Sequence, residues 1–296
     1  MANDPARPTG DERSELWVWC AYALGLAAVT GLVYLGSRPE GDGAVRVYLT
    51  GPPALALSAF AVGLWGLFLA IGRRPFLRRG RLAGWFAVGA TIALASYPLP
   101  FPSRHDGHPS QVRVELPLEG RWRVQWGGAD PERNLPASVR PDRRYGYDLA
   151  PLEGDGVGAP VSAPCAGRVV AVRPPLDSGD AVLPAGHVVL EVAPGEYLFL
   201  AGLGEVVPEV APGAQVARGD AIGRLGVVSF AASPFTGGAH LVLFLQDTPT
   251  PLWGQGIPLE FEGLVVNGER VERAMPRGRS VREPERRPGD VVERAR

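Results

Sequence analysis

Residues 187–203 have the sequence HVVLEVAPGEYLFLAGL and decide the fold of the larger part of the chain. Short apolar runs at 187–192 and 197–201 flank a turn, and a similar run occurs at 168–172. Val and Leu dominate these runs, Gly, Pro and Asp separate them, and no helical period is sustained, which is typical of β-strands. The pattern predicts a mainly β, antiparallel domain over residues 116–274.

Five sequence blocks follow one another along this β region. They are RRYGYDLAP at 143–151, GAPVSAPCAGRVVAV at 158–172, HVVLEVAPGEYLFLAGL at 187–203, VAPGAQVARGDAIGRLG at 210–226 and GGAHLVLFLQDTPTPLWGQGIPLEF at 237–261. This succession resembles the lysostaphin/LytM-type zinc metalloendopeptidase family, whose members cleave peptide cross-links in bacterial cell walls. The resemblance covers residues 116–268 and implies a LytM-type β domain that acts on peptidoglycan.

The same resemblance implies a metal site that this sequence keeps only in part. In the family a His, an Asp four residues later and the second His of an H-x-H hold zinc, and two further His activate water. Asp148 matches the Asp ligand, and His240 matches the first, catalytic position of the H-x-H. The other three positions hold Arg144 (first ligand), Val242 (second His of H-x-H) and Gly202 (His of the preceding strand).

Two different arrangements of the remaining residues are open. A guanidinium keeps its positive charge and does not coordinate zinc, so Arg144 would pair with Asp148 if both lie four residues apart on one strand. Such an ion pair would fill the vacated metal position. Alternatively, Asp148, His187 and His240 would form an improvised metal site.

The resemblance together with the missing ligands predicts a pseudoenzyme. We expect the β domain to bind peptidoglycan, or to regulate a wall hydrolase or a division protein, with no cofactor. The alternative is an active zinc metalloendopeptidase that cleaves peptidoglycan cross-links with unusual ligands and needs zinc. A third hypothesis makes the helices described next the functional part and the β domain a passive cap.

Three uncharged apolar runs precede the β region, at 16–36, 50–72 and 82–100. A helix rises 1.5 Å per residue, so each run is long enough to cross a hydrocarbon core of ~30 Å. The runs predict three transmembrane α-helices that form a membrane anchor over residues 16–100, preceded by a cytoplasmic tail at 1–15.

The orientation of the anchor follows from the Arg side chains of its loops. The stretch 73–81 contains several Arg and no acidic residue, whereas the loop at 37–49 carries both signs. The positive-inside rule therefore predicts that 73–81 is cytoplasmic. With three spans, everything after residue 100 is then extracytoplasmic (periplasmic), and the protein is a multi-pass protein of the cytoplasmic (inner) membrane.

Composition excludes several other functions. All 30 basic side chains are Arg, and the formal net charge is −1. Without Lys the chain has no amine for Schiff-base chemistry, for a Walker A loop or for a lipoyl attachment site, and the charge does not favour nucleic acid. The polar residues 101–115 predict a linker. The Arg-rich residues 275–296 contain little to bury and predict a disordered charged tail.

Overall fold

The structure is a computed structural model that describes residues 12–37, 41–71, 79–96, 103–138, 140–174, 186–227 and 238–295. The chain divides into two compact units, Met1–Leu99 and Pro100–Arg296. The first unit is helical in its described part, and the second is built mainly from β-strands. The two units therefore agree with the predicted change from apolar helices to a β domain.

The described part of the first unit contains three helices: α1 (Glu12–Gly36), α2 (Gly41–Ile71) and α3 (Arg79–Ser96). Two segments are long and apolar enough to cross a membrane, Leu16–Gly36 in α1 and Val45–Ile71 in α2. The apolar part of α3 is shorter. Its 18 residues rise about 27 Å, slightly less than a hydrocarbon core.

The predicted spans differ from these helices at their ends. The second predicted span starts at 50, but α2 begins at Gly41 and includes Pro52 and Pro53. The third was predicted to reach residue 100; α3 is described as far as Ser96, and residues 97–100 lie outside the described part of the chain. Residues 1–11, 72–78 and 97–102 lie outside the described part of the chain, and with them most of the predicted cytoplasmic tail and the Arg-rich loop.

The three helices pack around Trp17 of α1, whose side chain is only 1% exposed. Two glycines make room for the indole, because an added Cβ would lie 3.0 Å from the Trp17 ring at Gly66 of α2 and 3.1 Å from it at Gly84 of α3. The Trp17 and Trp85 rings are 5.3 Å apart. Small residues thus let the helices approach closely, as in many membrane bundles.

The second unit contains thirteen strands in its described part. They are β1 (Trp122–Trp126), β2 (Tyr147–Pro151), β3 (Pro160–Ser162), β4 (Gly167–Arg173), β5 (His187–Ala193), β6 (Glu196–Ala201), β7 (Leu203–Val206), β8 (Gln215–Val216), β9 (Ala221–Leu225), β10 (Leu241–Gln246), β11 (Phe261–Val266), β12 (Glu269–Ala274) and β13 (Val291–Arg294). Ten form one sheet in the order β12-β11-β13-β1-β2-β10-β6-β5-β4-β8, and β3, β9 and β7 form a second. Adjacent strands are antiparallel throughout, as predicted.

The central strands β10, β6 and β5 carry apolar residues on both faces, whereas β2 carries Leu149 on one face and Asp148 on the other. One face carries the main core, with Leu149, Leu200 and Leu243 among its fully buried residues. Because side chains alternate along a strand, the intervening residues lie on the other face. There a smaller cluster forms from Val189, Phe199, Ala201, Val242 and Phe244. This second face is the one that carries the candidate site.

The prediction of a disordered tail at 275–296 is wrong. Residues up to Ala295 are described, and β13 pairs with both β1 and β11 inside the ten-stranded sheet. Val292 is 1% exposed and belongs to the main core. A charged composition does not exclude order here, because one buried valine and long-range backbone pairing hold the segment while its charged side chains stay exposed or half-buried.

The predicted linker 101–115 is also part of the second unit where it is described. The Ser103 hydroxyl donates to the carbonyl oxygen of Gly256 at 2.8 Å, and both residues are buried. Val114 is fully buried and forms a bridge with Phe261 of β11. Residues 103–115 therefore pack on the domain, since even a polar segment is held where its backbone groups find partners.

Candidate functional site

The candidate site lies around Asp148 in β2. Asp148 is the cross-strand partner of Val242 in β10 on one side and of Trp126 in β1 on the other. Cross-strand partners point to the same face of a sheet, with Cβ atoms about 5 Å apart. The structure therefore places Val242, which matches a family ligand position, directly beside the Asp148 carboxylate.

His240 comes one residue before β10 and is the hydrogen-bond partner of Asp148. Its Nδ1 lies 2.9 Å from Oδ1 of Asp148, and both side chains are partly buried. Burial of the imidazole lowers its pKa, but the hydrogen bond and the charge of Asp148 outweigh this effect and raise the pKa above its usual value. The imidazole is thus held next to the carboxylate and favours its protonated form.

A buried apolar cluster lies beside this pair, on the same face of β10 and β6. The Val242 side chain is only 6% exposed. The rings of Phe199 and Phe244 are fully buried and stacked, with centroids 4.6 Å apart and planes 9° apart. This side of the site offers hydrocarbon in place of further metal-binding groups.

The predicted ion pair between Arg144 and Asp148 is wrong. Arg144 is not on the strand that carries Asp148, because it follows the one-turn 3₁₀ helix Pro141–Arg143 with φ −52° and ψ −32°. Its Nη1 donates to the carbonyl oxygen of Ala129 at 3.0 Å, and its guanidinium lies over the Tyr145 ring, 4.5 Å from the centroid. Because its backbone is helical, the Arg144 side chain does not share a face with Asp148, as it would if both residues were on one strand.

The improvised metal site from Asp148, His187 and His240 is not formed either. His187 starts β5 and pairs with Ala201 of β6, which in turn pairs with Val242. Three strand spacings separate His187 from Asp148, which is about 14 Å at about 4.8 Å per strand. Gly202, at the remaining family position, follows β6 with φ +102° and has no side chain to contribute.

Two Arg side chains that the sequence did not single out lie close to Asp148. The guanidinium of Arg279 lies over the Trp126 ring, 4.9 Å from its centroid, and that of Arg143 lies over the Phe244 ring at 5.5 Å. Burial lowers the pKa of Arg279, while the charges of Glu285 and Asp148 act in the opposite direction, and Asp148 acts in the same way on Arg143. Burial and nearby Arg140 nevertheless bring the pKa of Arg143 down to about 10, so it stays a cation at neutral pH.

The available donors do not fit a family-type zinc ion. Within the described residues no group of three or more His, Cys, Asp or Glu side chains is close enough to hold a metal. Asp148 and His240 are bonded to each other, and Arg143 and Arg279 bring positive charge to the same place. A zinc site needs three protein ligands around an open position, and cations nearby repel the ion.

Comparisons with known proteins find similarity only at the level of structure. No family model matches the chain, and no curated protein does. Among solved structures, a peptidase M23 protein from Pseudomonas aeruginosa matches with 21% identity over 51% of this chain and 50% of its own, at a TM-score of 0.32. A zinc-containing peptidase from Vibrio cholerae matches with 21% identity over 48% of this chain and 39% of its own, at a TM-score of 0.33.

The complex of SpoIIIAH and SpoIIQ gives a similar result. It matches with 23% identity over 48% of this chain and 96% of the matched chain, at a TM-score of 0.34. The chain thus spans half or less of the length of the two peptidases but nearly all of this third protein. The sequence identities and TM-scores of all three matches are too low to assign a family or an activity to this chain.

Proposed function

We propose that this chain is a membrane-anchored protein whose extracytoplasmic LytM-type β domain binds cell-wall peptide without cleaving it. The observation that carries the proposal is the pairing of Asp148 with Val242 across β2 and β10. The position from which a second ligand would reach the metal thus holds a buried hydrocarbon side chain. The remaining polar partner of Asp148, His240, is engaged in a direct hydrogen bond.

The chemistry of the site supports binding in place of hydrolysis. Water attack on a peptide bond in this family needs a metal with an open position and a base. Here the Asp148 carboxylate and the imidazole of His240 are bonded to each other, and the neighbouring Val242 belongs to a buried apolar cluster with the stacked Phe199 and Phe244 rings. Such a mixture of hydrocarbon and a few fixed polar groups is typical of a recognition site.

The helical unit fits the role of an anchor. We propose that α1, α2 and α3 all span the cytoplasmic membrane, with the N-terminus inside and the β domain outside. The two longer apolar segments support spanning by their length. The closely packed Trp17, Gly66 and Gly84 support a bundle that stays together in lipid.

The proposal is tested with the full chain purified in micelles after expression with added zinc. Elemental mass spectrometry measures bound metal, and co-sedimentation with insoluble peptidoglycan measures binding in the presence and absence of EDTA. We expect substoichiometric zinc, binding that EDTA does not change, and no release of wall fragments. His240→Ala in the site should weaken binding, whereas Arg277→Gln on the exposed surface serves as the matched control.

Three results would contradict parts of this proposal. About one zinc per chain, with wall cleavage that His240→Ala abolishes, would establish the active endopeptidase. Absence of peptidoglycan binding together with capture of a wall hydrolase or division protein would make a protein the partner. A cellular phenotype that persists after deletion of residues 116–274 would place the function in the helices.

A further inference from the structure

The C-terminal segment reaches the candidate site through one side chain. Arg279 lies twelve residues before β13 begins, in the stretch that the sequence marks as a tail. Its guanidinium stacks on Trp126, and Trp126 is the cross-strand partner of Asp148. A cation from the end of the chain is therefore held one strand away from the carboxylate that matches a family metal ligand.

The backbone around Arg279 is fixed to β1 and to the segment that follows it. The Arg279 N–H donates to the carbonyl oxygen of Gln125 at 3.2 Å, and the Gly278 N–H donates to that of Gly127 at 3.0 Å. Gly278 has no room for a side chain, because an added Cβ would lie 2.2 Å from the carbonyl oxygen of Arg133. Only glycine permits this close approach, so the position of Arg279 is set by main-chain contacts.

The neighbouring hydrogen bonds hold the same segment from its other side. The buried Ser280 hydroxyl donates to the carboxylate of Glu132, and the Val281 N–H donates to the Glu132 carbonyl oxygen at 3.0 Å. The hydrogen bond from Ser280 lowers the pKa of Glu132, while its partial desolvation acts in the opposite direction. These hydrogen bonds hold the chain immediately after Arg279. The Arg279 guanidinium therefore extends from a backbone that is fixed at the site.

The charges around Asp148 follow from these placements. Arg143 and Arg279 both interact with Asp148, Glu285 interacts with Arg279 from the solvent-exposed side, and His240 bonds directly to Asp148. Asp148 therefore has cationic or protonatable groups near it: His240 just before β10, Arg143 from the 3₁₀ turn before β2 and Arg279 from the C-terminal segment. A metal ion in this place would have to share the carboxylate with fixed positive charges.

We infer that Arg279 is the resident cation of this site, supplied by the C-terminal segment, and that it determines the selectivity of the site against divalent metal ions. From its position over Trp126, the cross-strand partner of Asp148, the guanidinium brings positive charge to the site, so a second cation is repelled. This role of Arg279 rests on the proposed absence of a zinc site. The missing ligand at Val242 and the positive charge of Arg279 are two independent obstacles to metal binding.

The test adds the missing ligand and then removes the charge. Val242→His places a third donor directly opposite Asp148 and two residues from His240. Co²⁺ is titrated into the full chain in micelles, with the visible absorption of the bound ion as the signal and Zn²⁺ as competitor. The variants are Val242→His alone and in combination with Arg279→Gln, Arg279→Lys or Arg277→Gln.

We expect Arg279→Gln to tighten Co²⁺ binding by Val242→His at least about tenfold, because the positive charge held over Trp126, beside Asp148, is removed. Arg279→Lys, which loses the stacking geometry but keeps the charge, should leave binding weak. Arg277→Gln removes the same charge from a side chain that points to solvent, two residues away, and should change little. The Lys and Gln variants thus separate charge from packing.

The inference is overturned if Arg279→Gln gives no gain in Co²⁺ binding, or if Arg279→Lys gives the same gain. A second measurement covers variants that fold poorly. In the otherwise native chain, Asp148→Asn and Arg279→Gln should show a coupling free energy in a double-mutant cycle of unfolding, whereas additive effects would also refute the pairing. Failure of peptidoglycan binding in the native chain would sink the proposed function and leave this result untouched.

Discussion

Replacement of Val292 by Ala tests whether the C-terminal segment is part of the domain core. Val292 is 1% exposed, belongs to the main cluster and pairs with Trp122 of β1 and Val266 of β11. The substitution removes two methyl-sized groups at about 0.8 kcal/mol each and leaves a small cavity, so we expect a loss of about 2 to 3 kcal/mol in the free energy of unfolding.

The thiol of Cys165 provides the assay. It is 3% exposed in the same core cluster, and burial raises its pKa to about 12 although nearby Arg218 acts in the opposite direction. Alkylation by a thiol reagent therefore requires opening of the β unit. With Cys20 replaced by Ser, the alkylation rate of the full chain measures that opening, and a loss of 2 kcal/mol should raise it about 30-fold.

The matched control is Val281→Ala, because the Val281 side chain is 42% exposed in the same segment. A surface substitution of this kind should change the free energy of unfolding by at most about 0.5 kcal/mol, or about twofold in rate. Equal alkylation rates for Val292→Ala and Val281→Ala would refute the reasoning, since they would mean that the segment detaches without cost to the core.

Three further predictions concern the candidate site and the helices. The pKa of His240 is raised in the folded state, so its pair with Asp148 stabilises fully below the unfolded pKa of about 6.5 and loses this effect as pH rises through the folded pKa; His240→Gln should destabilise more at pH 6 than at pH 9 in urea unfolding, and an equal loss would disprove it. Phe199→Ala, at a fully buried stacked ring, should cost about 3 to 5 kcal/mol, and a loss below about 1 kcal/mol in the Cys165 assay would show that this apolar cluster is not packed. Gly66→Val should displace the Trp17 side chain from the space between the helices and increase alkylation of Cys20 in micelles. Gly31→Val is the control, because an added Cβ at Gly31 has no atom within 4 Å.

The strands of the domain were predictable because their signal is local. The apolar runs at 187–192 and 197–201 correspond to β5 (His187–Ala193) and β6 (Glu196–Ala201), with the turn between them at Pro194 and Gly195. Alternation along the strand and a turn residue at its end are decided within a few residues.

The placement of Arg144 could not be predicted from its distance to Asp148 in sequence. Residues four apart share a face only if both lie on one strand. Pro141 fixes its own φ at the first position of a one-turn helix, so the chain enters β2 only at Tyr147. Asp148 and His240, by contrast, come together because two strands far apart in sequence pair in one register, which the resemblance to the peptidase family implied and composition alone does not.

The role of Arg279 illustrates why a charged end of a chain is a poor guide to disorder. Val292 in the last strand has the burial of a core residue, and the segment is otherwise held by backbone hydrogen bonds and by a few polar side chains, such as Ser280 on Glu132 and Arg294 on the Leu116 carbonyl oxygen. These contacts join residues far apart in sequence and leave no local periodic pattern. If the cation of the site comes from this segment, then a chain that lost its last twenty residues would lose the positive charge beside Asp148 together with part of the core. Truncation should therefore reduce both the stability of the domain and its exclusion of metal ions. Val292→Ala should reduce only the stability, and Arg279→Gln only the exclusion of metal ions.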